Sequence, residues 1–389
     1  MFLKRAVLIL ALAVSLPYLR GPLYHFPAQT SFAGPKFLNP YGGLLDTWQR
    51  ANLHAHGRAW NGLTNGRQSN EQIVRAYTSL GYSVAGVSNY QRIATLGNGP
   101  TLQLYEHGYN LGKRHQLAIG AREVAWFDFP LWQSLSHKQF VIDRVAETAE
   151  LVAIAHPSSR EAYTVDDLRH LTGYQLIEVV NGPFRYERPW DAALSAGRAV
   201  WALGNDDTHD LTDPARTAMA WTMINAPSPS VGDIIDALRA GRAYTVSRTN
   251  DTASAIETVV GNVTFSNGTL AVSCVGEPSK FVFVGQDGVV RKTVKDAMSA
   301  AYTFGAEDTY IRTVIQSPRT AMFLNPVLRY DGLRPPVPVA TVDAARTWLL
   351  RGTFALAGAA LFLIYRDRRP PVHDSTPQAV LTPADRKTA

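Results

Sequence analysis

The stretch Ala51-Asn52-Leu53-His54-Ala55-His56-Gly57 places two histidines two residues apart after an apolar, strand-like segment. Alternate side chains of a β-strand point to the same face, so both imidazoles can reach one metal ion. Residues of the types that bind divalent metals and activate water follow at strand-like intervals. These residues are Glu123, His156, Glu178, Asp207 and His209. The pattern favours a metal site built on successive strands.

Short apolar or β-branched runs alternate with helical patterns between about residues 48 and 245. The predicted strands are 52–56, 84–88, 117–122, 151–155, 176–180, 199–204 and 218–224. The predicted helices are 70–80, 101–114, 138–149, 164–172, 187–197 and 231–240, with Ser69 and Thr164 as caps. This alternation implies parallel strands and right-handed crossovers, and about seven such units suggest a barrel. The metal-type residues lie at or just past the carboxyl ends of predicted strands, where α/β barrels build their active sites.

The pattern changes after residue 250, and the strands between 252 and 335 are short and separated by Gly/Asn turns. We interpret this region as a small antiparallel β-sandwich. The chain has one cysteine, Cys274, so it can form no intramolecular disulfide and has no cysteine-based metal site. The net charge of +6 is scattered without a Lys/Arg block, so we expect no nucleic-acid partner.

Apolar runs lie near both ends of the 389-residue chain. Lys4 and Arg5 precede the first, at 6–19, which predicts a signal peptide or an N-terminal membrane anchor within residues 1–24. The second predicts a transmembrane helix at 346–366, the alternative being a buried amphipathic helix. Its flanking arginines would be cytoplasmic, which predicts a cell-membrane protein with its main domains extracytoplasmic. The polar tail 367–389 is predicted to be disordered.

The ordered motifs of residues 48–248 resemble those of the PHP (polymerase and histidinol phosphatase) superfamily of metal-dependent phosphoesterases. The following sandwich resembles the carbaryl-hydrolase-like branch of metallohydrolases. The matching pieces are Asn52-Leu53-His54-Ala55-His56, Gly86-Val87-Ser88-Asn89-Tyr90, Gly120-Ala121-Arg122-Glu123, Ala153-Ile154-Ala155-His156-Pro157, Ile177-Glu178-Val179-Val180-Asn181-Gly182 and Gly204-Asn205-Asp206-Asp207-Thr208-His209. The resemblance implies a distorted (β/α)7 barrel, in agreement with the strand count.

The resemblance also implies a site for two divalent metal ions, which we expect to be Mn, Zn or Fe. His54, His56, Glu123 and Asp207 would hold the first ion. Glu123 would bridge to a second ion, which also takes His156 and one further histidine, with His137 as the candidate. His209 would be a ligand or, with Asp207, a catalytic group. Glu178 could support the ligands or belong to the barrel core.

The sequence departs from the family pattern at a third metal, where Asn61 and Tyr90 occupy positions that are usually ligands. An amide and a phenol are poor replacements for a carboxylate and an imidazole, so the third site is expected to be lost. Candidate substrate-binding residues near the predicted mouth are Arg58, Asn61, Tyr90, Asn181 and Arg185.

Two functions remain open at this point. The first is a membrane-tethered hydrolase in which metal-activated water attacks a phosphoester, ester or amide bond of a small, anionic substrate. The second is a catalytically degenerate barrel that serves as a ligand-binding or interaction module of the cell envelope. The losses at Asn61 and Tyr90 motivate the second.

Overall fold

The computed structural model describes residues 14–97, 101–249, 257–333 and 337–367. Residues 1–13 of the predicted leader, and the predicted tail apart from Asp367, lie outside this part of the chain. The chain divides into two compact units, Met1–Asp343 and Ala344–Ala389.

Strands and helices alternate up to about residue 248, strands predominate from there to Val342, and a last α-helix begins at Ala344. The strands are β1 (Tyr24–His25), β2 (Lys36–Leu38), β3 (Gln49–Asn52), β4 (Val84–Ala85), β5 (Leu104–His107), β6 (Gln116–Ile119), β7 (Leu151–Ile154), β8 (Leu176–Asn181), β9 (Phe184–Arg185), β10 (Trp201–Asn205), β11 (Ala220–Ile224), β12 (Ala243–Arg248), β13 (Val259–Ser266), β14 (Thr269–Val275), β15 (Ser279–Val284), β16 (Val290–Ala297), β17 (Ser299–Thr303), β18 (Tyr310–Gln316), β19 (Thr320–Leu324), β20 (Val327–Tyr330) and β21 (Thr341–Val342). The α-helices are α1 (Asn70–Ser79), α2 (Leu135–Ala146), α3 (Val165–His170), α4 (Glu187–Ser195), α5 (Val231–Arg239) and α6 (Ala344–Asp367). Residues 14–20 are also helical.

Two of the helices begin where the sequence predicts. Ser69 and Thr164 each accept a hydrogen bond from the backbone N–H three residues later, and the side chains at those positions, Gln72 and Asp167, bond back to the cap. Each capping box satisfies two backbone donors that a helix start otherwise leaves without partners. The buried side of α1 is formed by Ile73 and Tyr77.

One sheet carries the centre of the predicted barrel, in the strand order β10-β8-β7-β6-β5. The strands β10, β8 and β7 are parallel, as predicted, and their residues are buried. The strand β6 is antiparallel to both of its neighbours, β7 and β5. The predicted helix at 101–114 is wrong, because this segment contains β5, which pairs with β6 as a hairpin.

A second sheet has the path β16-β15-β18-β19-β12-β11-β3-β4. It comes close to β10, but between the described strands there is no continuous backbone ladder; the links are a side chain and, just past the ends of β3 and β10, an isolated parallel bridge between Ala55 and Thr208. Thr222 Oγ1 accepts the N–H of Gly204 at 2.9 Å and donates to the carbonyl of Gly204 at 3.0 Å. A closed (β/α)7 barrel is therefore not confirmed, and the described strands form a mixed α/β arrangement of several sheets.

The region predicted as a sandwich is antiparallel. Strands β13, β14 and β17 form a three-stranded sheet, while β15, β16, β18 and β19 belong to the second sheet described above. Strand β19 pairs with β12 from Tyr244↔Leu324 to Arg248↔Thr320. The sheet thus passes without a break from this region to β3, the strand that leads into His54.

The helix predicted at 346–366 is present as α6, Ala344–Asp367. Among the described residues, however, no helix combines the length and the apolarity needed to cross a membrane. The sequence of α6 includes Arg346, Arg351 and Arg366.

Candidate metal centre

Seven side chains with metal-binding groups converge at one edge of the sheets. They are His54, His56, Glu106, His115, His156, Asp207 and His209. The histidine pair follows β3, His156 follows β7, and Asp207 and His209 follow β10, so these five lie at the carboxyl ends of strands, as predicted. His115 immediately precedes β6, and because β6 is antiparallel its first residue lies at that same edge.

Glu106 lies at the centre of the cluster and is fully buried. Its Oε2 atom is 3.1 Å from Nε2 of His56. Its Oε1 atom is 2.7 Å from Nδ1 of His115 and 2.9 Å from Nε2 of His156. The two carboxylate oxygens therefore face different histidines, which is the arrangement of a carboxylate that bridges two ion positions.

Asp207 faces the same centre from the end of β10. Its Oδ1 atom lies 3.2 Å from Nε2 of His54 and 3.2 Å from Nε2 of His56. Those two ring nitrogens are 3.1 Å apart. Four groups of three side chains have ligand atoms within 4.8 Å of one another, and Glu106 belongs to two of these groups.

Glu178 does not face this centre but supports it from behind. Its Oε1 atom accepts from Nδ1 of His54 at 2.8 Å, which leaves Nε2 of His54 directed at the cluster. Its Oε2 atom accepts the backbone N–H of His156 at 2.8 Å and the amide of Asn181 at 2.9 Å. A carboxylate behind a ligating histidine sets the tautomer and the ring orientation.

The backbone is strained at two of the cluster residues. His156 has φ 27° and Asp207 has φ 52°, and residues other than glycine rarely adopt such positive φ angles. The bonds to Glu178 and from the Asp207 N–H to the carbonyl of His54, at 2.9 Å, hold these conformations. Such strain costs about 1–3 kcal/mol per residue and is concentrated at functional sites.

The cluster strongly favours positive charge between its carboxylates. Burial acts to raise the pKa of Glu106, but His115 and His54 hold that pKa well below its usual range. Burial acts to lower the pKa of His54, yet Asp207 and Glu178 raise it well above the ordinary value. Both shifts have the same cause, the closeness of buried carboxylates and imidazoles, and bound cations can supply the positive charge that such carboxylates favour.

The donor set fits divalent metal ions. Oε2 of Glu106 and Oδ1 of Asp207 are buried and have no hydrogen-bond partner, although both face histidine nitrogens at close range. A buried carboxylate oxygen without a hydrogen bond is costly, and coordination of a cation removes that cost. Imidazole and carboxylate together suit Zn, Fe and Mn.

Glu123, the predicted bridging ligand, is exposed and lies outside the cluster. It follows β6 by four residues, and β6 runs antiparallel to the strands that end at the site. The carboxyl end of β6 therefore lies at the opposite edge of the sheet. Glu106 occupies the position that the sequence analysis assigned to Glu123.

His137, the predicted last ligand, also lies elsewhere. It is in the first turn of α2, where its Nδ1 accepts the N–H of Ser134 at 3.2 Å and its ring stacks on Phe129. His115 stands in the cluster in its place. A possible signal for Glu106 and His115 is the β-forming run Leu104-Tyr105 followed by a Gly/Asn-rich turn at 108–112.

The candidate third-site and substrate residues divide into two groups. Tyr90 lies over the cluster, with its ring stacked on His56 at 4.3 Å and its hydroxyl 3.2 Å from Nε2 of His209. Asn181 holds Glu178. Among the described residues, the other three make no hydrogen bond, ion pair or ring contact with the cluster; these are Arg58, Asn61 and Arg185.

The chain matches no family model and no curated protein. Among solved structures, it is similar to a two-domain protein containing a predicted PHP-like metal-dependent phosphoesterase from Bacteroides vulgatus. The sequence identity is 12% and the TM-score is 0.39, over 82% of this chain and 99% of that one.

Proposed function

We propose that this protein is a metal-dependent hydrolase of PHP type that cleaves a phosphoester or a related ester or amide bond. The observation that carries the proposal is Glu106, whose two oxygens face His56 on one side and His115 and His156 on the other. Two divalent ions held there, Mn, Zn or Fe, would supply an activated water and neutralise charge that develops on the substrate.

His209 and Tyr90 supply proton-handling groups at the open side of the cluster. Nδ1 of His209 donates to the carbonyl of Asp207 at 2.9 Å, so its Nε2 carries the lone pair. Burial and the neighbouring His56 lower the pKa of His209 to about 4, which keeps the ring neutral near pH 7. Burial raises the pKa of Tyr90, so its hydroxyl keeps its proton and donates to Nε2 of His209.

This pair can position a substrate oxygen beside the ions. Tyr90 offers a hydroxyl donor, and His209 offers either a further ligand nitrogen or a base near the reacting bond. Because Tyr90 replaces a ligand of the family pattern, a phosphodiester, ester or amide fits the proposal better than a phosphomonoester. We also propose that the substrate is small and anionic, because a cation-filled cluster attracts negative groups.

We further propose attachment to the cell membrane through the apolar run 6–19, with the site outside the cytoplasm. Support comes from Lys4 and Arg5 before that run, which the positive-inside rule places in the cytoplasm. Protease accessibility of the intact chain in sealed cells and in lysed cells tests the location. Protection in sealed cells that is lost on lysis would contradict it, because the membrane would then stand between the protease and the site.

The hydrolase proposal is tested by elemental analysis of the full chain beside a His54→Ala/His56→Ala variant. We expect about two Mn, Zn or Fe ions per chain, lost in the double variant, as for other dinuclear hydrolases. A screen of aryl phosphodiesters, phosphomonoesters and carboxylesters then measures turnover. A chain that takes up no metal after reconstitution would contradict the hydrolase.

Metal without turnover on any ester would favour the second candidate function, a ligand-binding module of the envelope. The observation that favours this candidate is Tyr90, a non-ligand at a ligand position of the resembled family. Metal content and turnover together separate the two candidates, because a binding module would hold little metal or would show no turnover when its metals are replete.

A further inference from the structure

Six large apolar side chains are exposed together on one face of the first unit, which we name the outer aromatic face. Their exposed fractions range from 43% for Leu131 to 71% for Leu111. A contiguous apolar surface of this kind usually marks a binding site. The members are Leu16, Tyr109, Leu111, Trp126, Leu131 and Trp132.

Direct contacts show that these residues form one surface. Leu16, Tyr109 and Trp126 line a common groove, and the Tyr109 hydroxyl donates to the carbonyl of Trp126 at 3.2 Å. Tyr18 stacks on Trp132 with ring centroids 4.2 Å apart. Its hydroxyl also accepts the backbone N–H groups of Leu131 and Trp132 at 2.9 and 3.0 Å. The helical residues 14–20 therefore pack against the outer aromatic face and contribute Leu16 to it.

Two features identify what covers this face. The sequence immediately before the helical residues 14–20 is wholly apolar from 6 to 13, so a segment suited to lipid joins the chain here. Tryptophan and tyrosine combine an apolar ring with a polar edge and are enriched where a bilayer meets water.

The charge beside the face is also suitable. Lys113 follows Leu111 in the same loop, is partly exposed and has no carboxylate within 4.0 Å in the described part of the chain, whereas Nε of Arg114 is buried. Cations at the edge of an apolar surface attract anionic lipid headgroups, each contributing about 1 kcal/mol.

The outer aromatic face comes close to the partly exposed side of the candidate metal centre, where 26% of the His209 side chain is accessible. Trp126 packs edge-on against Trp60, with ring centroids 6.0 Å apart. The indole N–H of Trp60 donates to the carbonyl of Tyr90 at 2.8 Å. The face therefore reaches the residue that lies over His56 and His209.

We propose that the outer aromatic face rests on the surface of an anionic lipid bilayer. The side of the candidate metal centre that Tyr90 covers then lies next to the lipid headgroups. This surface does not depend on the hydrolase proposal, because none of its six residues belongs to the metal cluster.

The test uses the full chain and vesicles of phosphatidylcholine with phosphatidylglycerol, some of them carrying brominated acyl chains that quench tryptophan. In a Trp126→Phe/Trp132→Phe variant we expect binding to be kept and most of the quenching to be lost. In a Leu111→Ser/Trp126→Ser/Trp132→Ser variant we expect the partition coefficient to fall about tenfold or more, because three apolar groups leave the lipid.

A Val275→Ser/Val290→Ser variant is the matched control, since both valines are exposed and lie outside the outer aromatic face, in β14 and β16. It should bind like the unaltered chain, and the run 6–13 is present in all variants. The proposal would be overturned if the phenylalanine variant were quenched as strongly as the unaltered chain. It would also be overturned if the serine variant had the same partition coefficient as the unaltered chain. A lipid-free dimer that the serine variant dissociates would assign the face to a second copy of the chain and would also overturn it.

Discussion

Nδ1 of His115 lies 2.7 Å from Oε1 of Glu106, across the hairpin that joins β5 to β6. Both side chains are buried, and both belong to the metal-type cluster. The hairpin thus adds a carboxylate and an imidazole to a cluster whose other members follow β3, β7 and β10. The antiparallel turn of the chain places the two residues at the same edge of the sheet.

Replacing one carboxylate at a time tests whether Glu106 or Glu123 bridges the two proposed ions. We expect Glu106→Gln to lower the metal content from about two ions per chain to one or none, because the bridge loses its charge. The matched variant Glu123→Gln should keep the full content, since Glu123 is exposed outside the cluster. Elemental analysis of both proteins measures this. Metal loss in Glu123→Gln alone would restore the sequence-based assignment.

A similar comparison applies to His115 and His137. His115→Gln should remove one ion of the pair and lower turnover by at least about 100-fold, because one metal loses a ligand. His137→Gln should leave metal content and turnover unchanged. Metal titration and initial rates on the best ester of the screen provide the readout. If the two variants behave alike, His115 has no special role.

Glu178 should act through the histidines that it holds. Glu178→Gln keeps the shape of the side chain but weakens the bond to Nδ1 of His54, 2.8 Å long. We expect metal affinity to fall about 10- to 100-fold, the usual effect of losing a supporting carboxylate. Competition with a chelator measures the affinity. An unaltered affinity would show that His54 is oriented by other contacts.

His137 should make the stability of the fold depend on pH. Burial lowers the pKa of His137 to about 4, from an ordinary value of 6.5. Between these values the unfolded chain binds more protons than the folded chain, so acidification through this interval favours unfolding. In His137→Gln, whose amide oxygen can still accept from Ser134, this contribution should vanish.

Urea unfolding at several pH values between 4 and 7 compares the two proteins. The free energy of unfolding of the unaltered chain minus that of the variant should increase as the pH rises from about 4 to 6.5 and then stay constant. A difference that is independent of pH would mean that His137 does not titrate in this range.

A buried ion pair joins the strands of the second half to helix α4. Arg312 holds Asp191 by two bonds of 2.7 Å, from Nε and Nη2, and both residues are buried. Arg312→Met should lower the free energy of unfolding by about 3–5 kcal/mol, because Asp191 keeps an uncompensated charge. Urea unfolding measures the change. The double variant Arg312→Met/Asp191→Leu should recover much of it, and equal losses in both variants would contradict this explanation.

Local pattern was sufficient to predict His54, His56, His156, Asp207 and His209 as members of the site. Each follows a strand that its apolar residues predict from the sequence, and parallel strands end at a common edge. The helix starts at Ser69 and Thr164 were predictable for a similar reason, because a capping box involves only four consecutive residues.

Glu106 and His115 could not be found in this way. The segment 101–114 has apolar residues at helical spacing, and its strand character depends on pairing with β6 and on burial in the sheet. Because β6 is antiparallel to β7, Glu123 lies at the edge of the sheet opposite to the cluster. Strand direction is set by contacts distant in sequence, which a local pattern does not contain.

The sequence by itself determined the chemical types at the site, the order of most elements and the change from α/β to all-β structure. These follow from side-chain periodicity and capping, which act over a few residues. Only the tertiary structure decided which carboxylate lies between the histidines, and that the second-half strands extend the sheet of β3. Those choices depend on burial and on strand pairing between distant segments, since a carboxylate becomes a central ligand only where the fold encloses it.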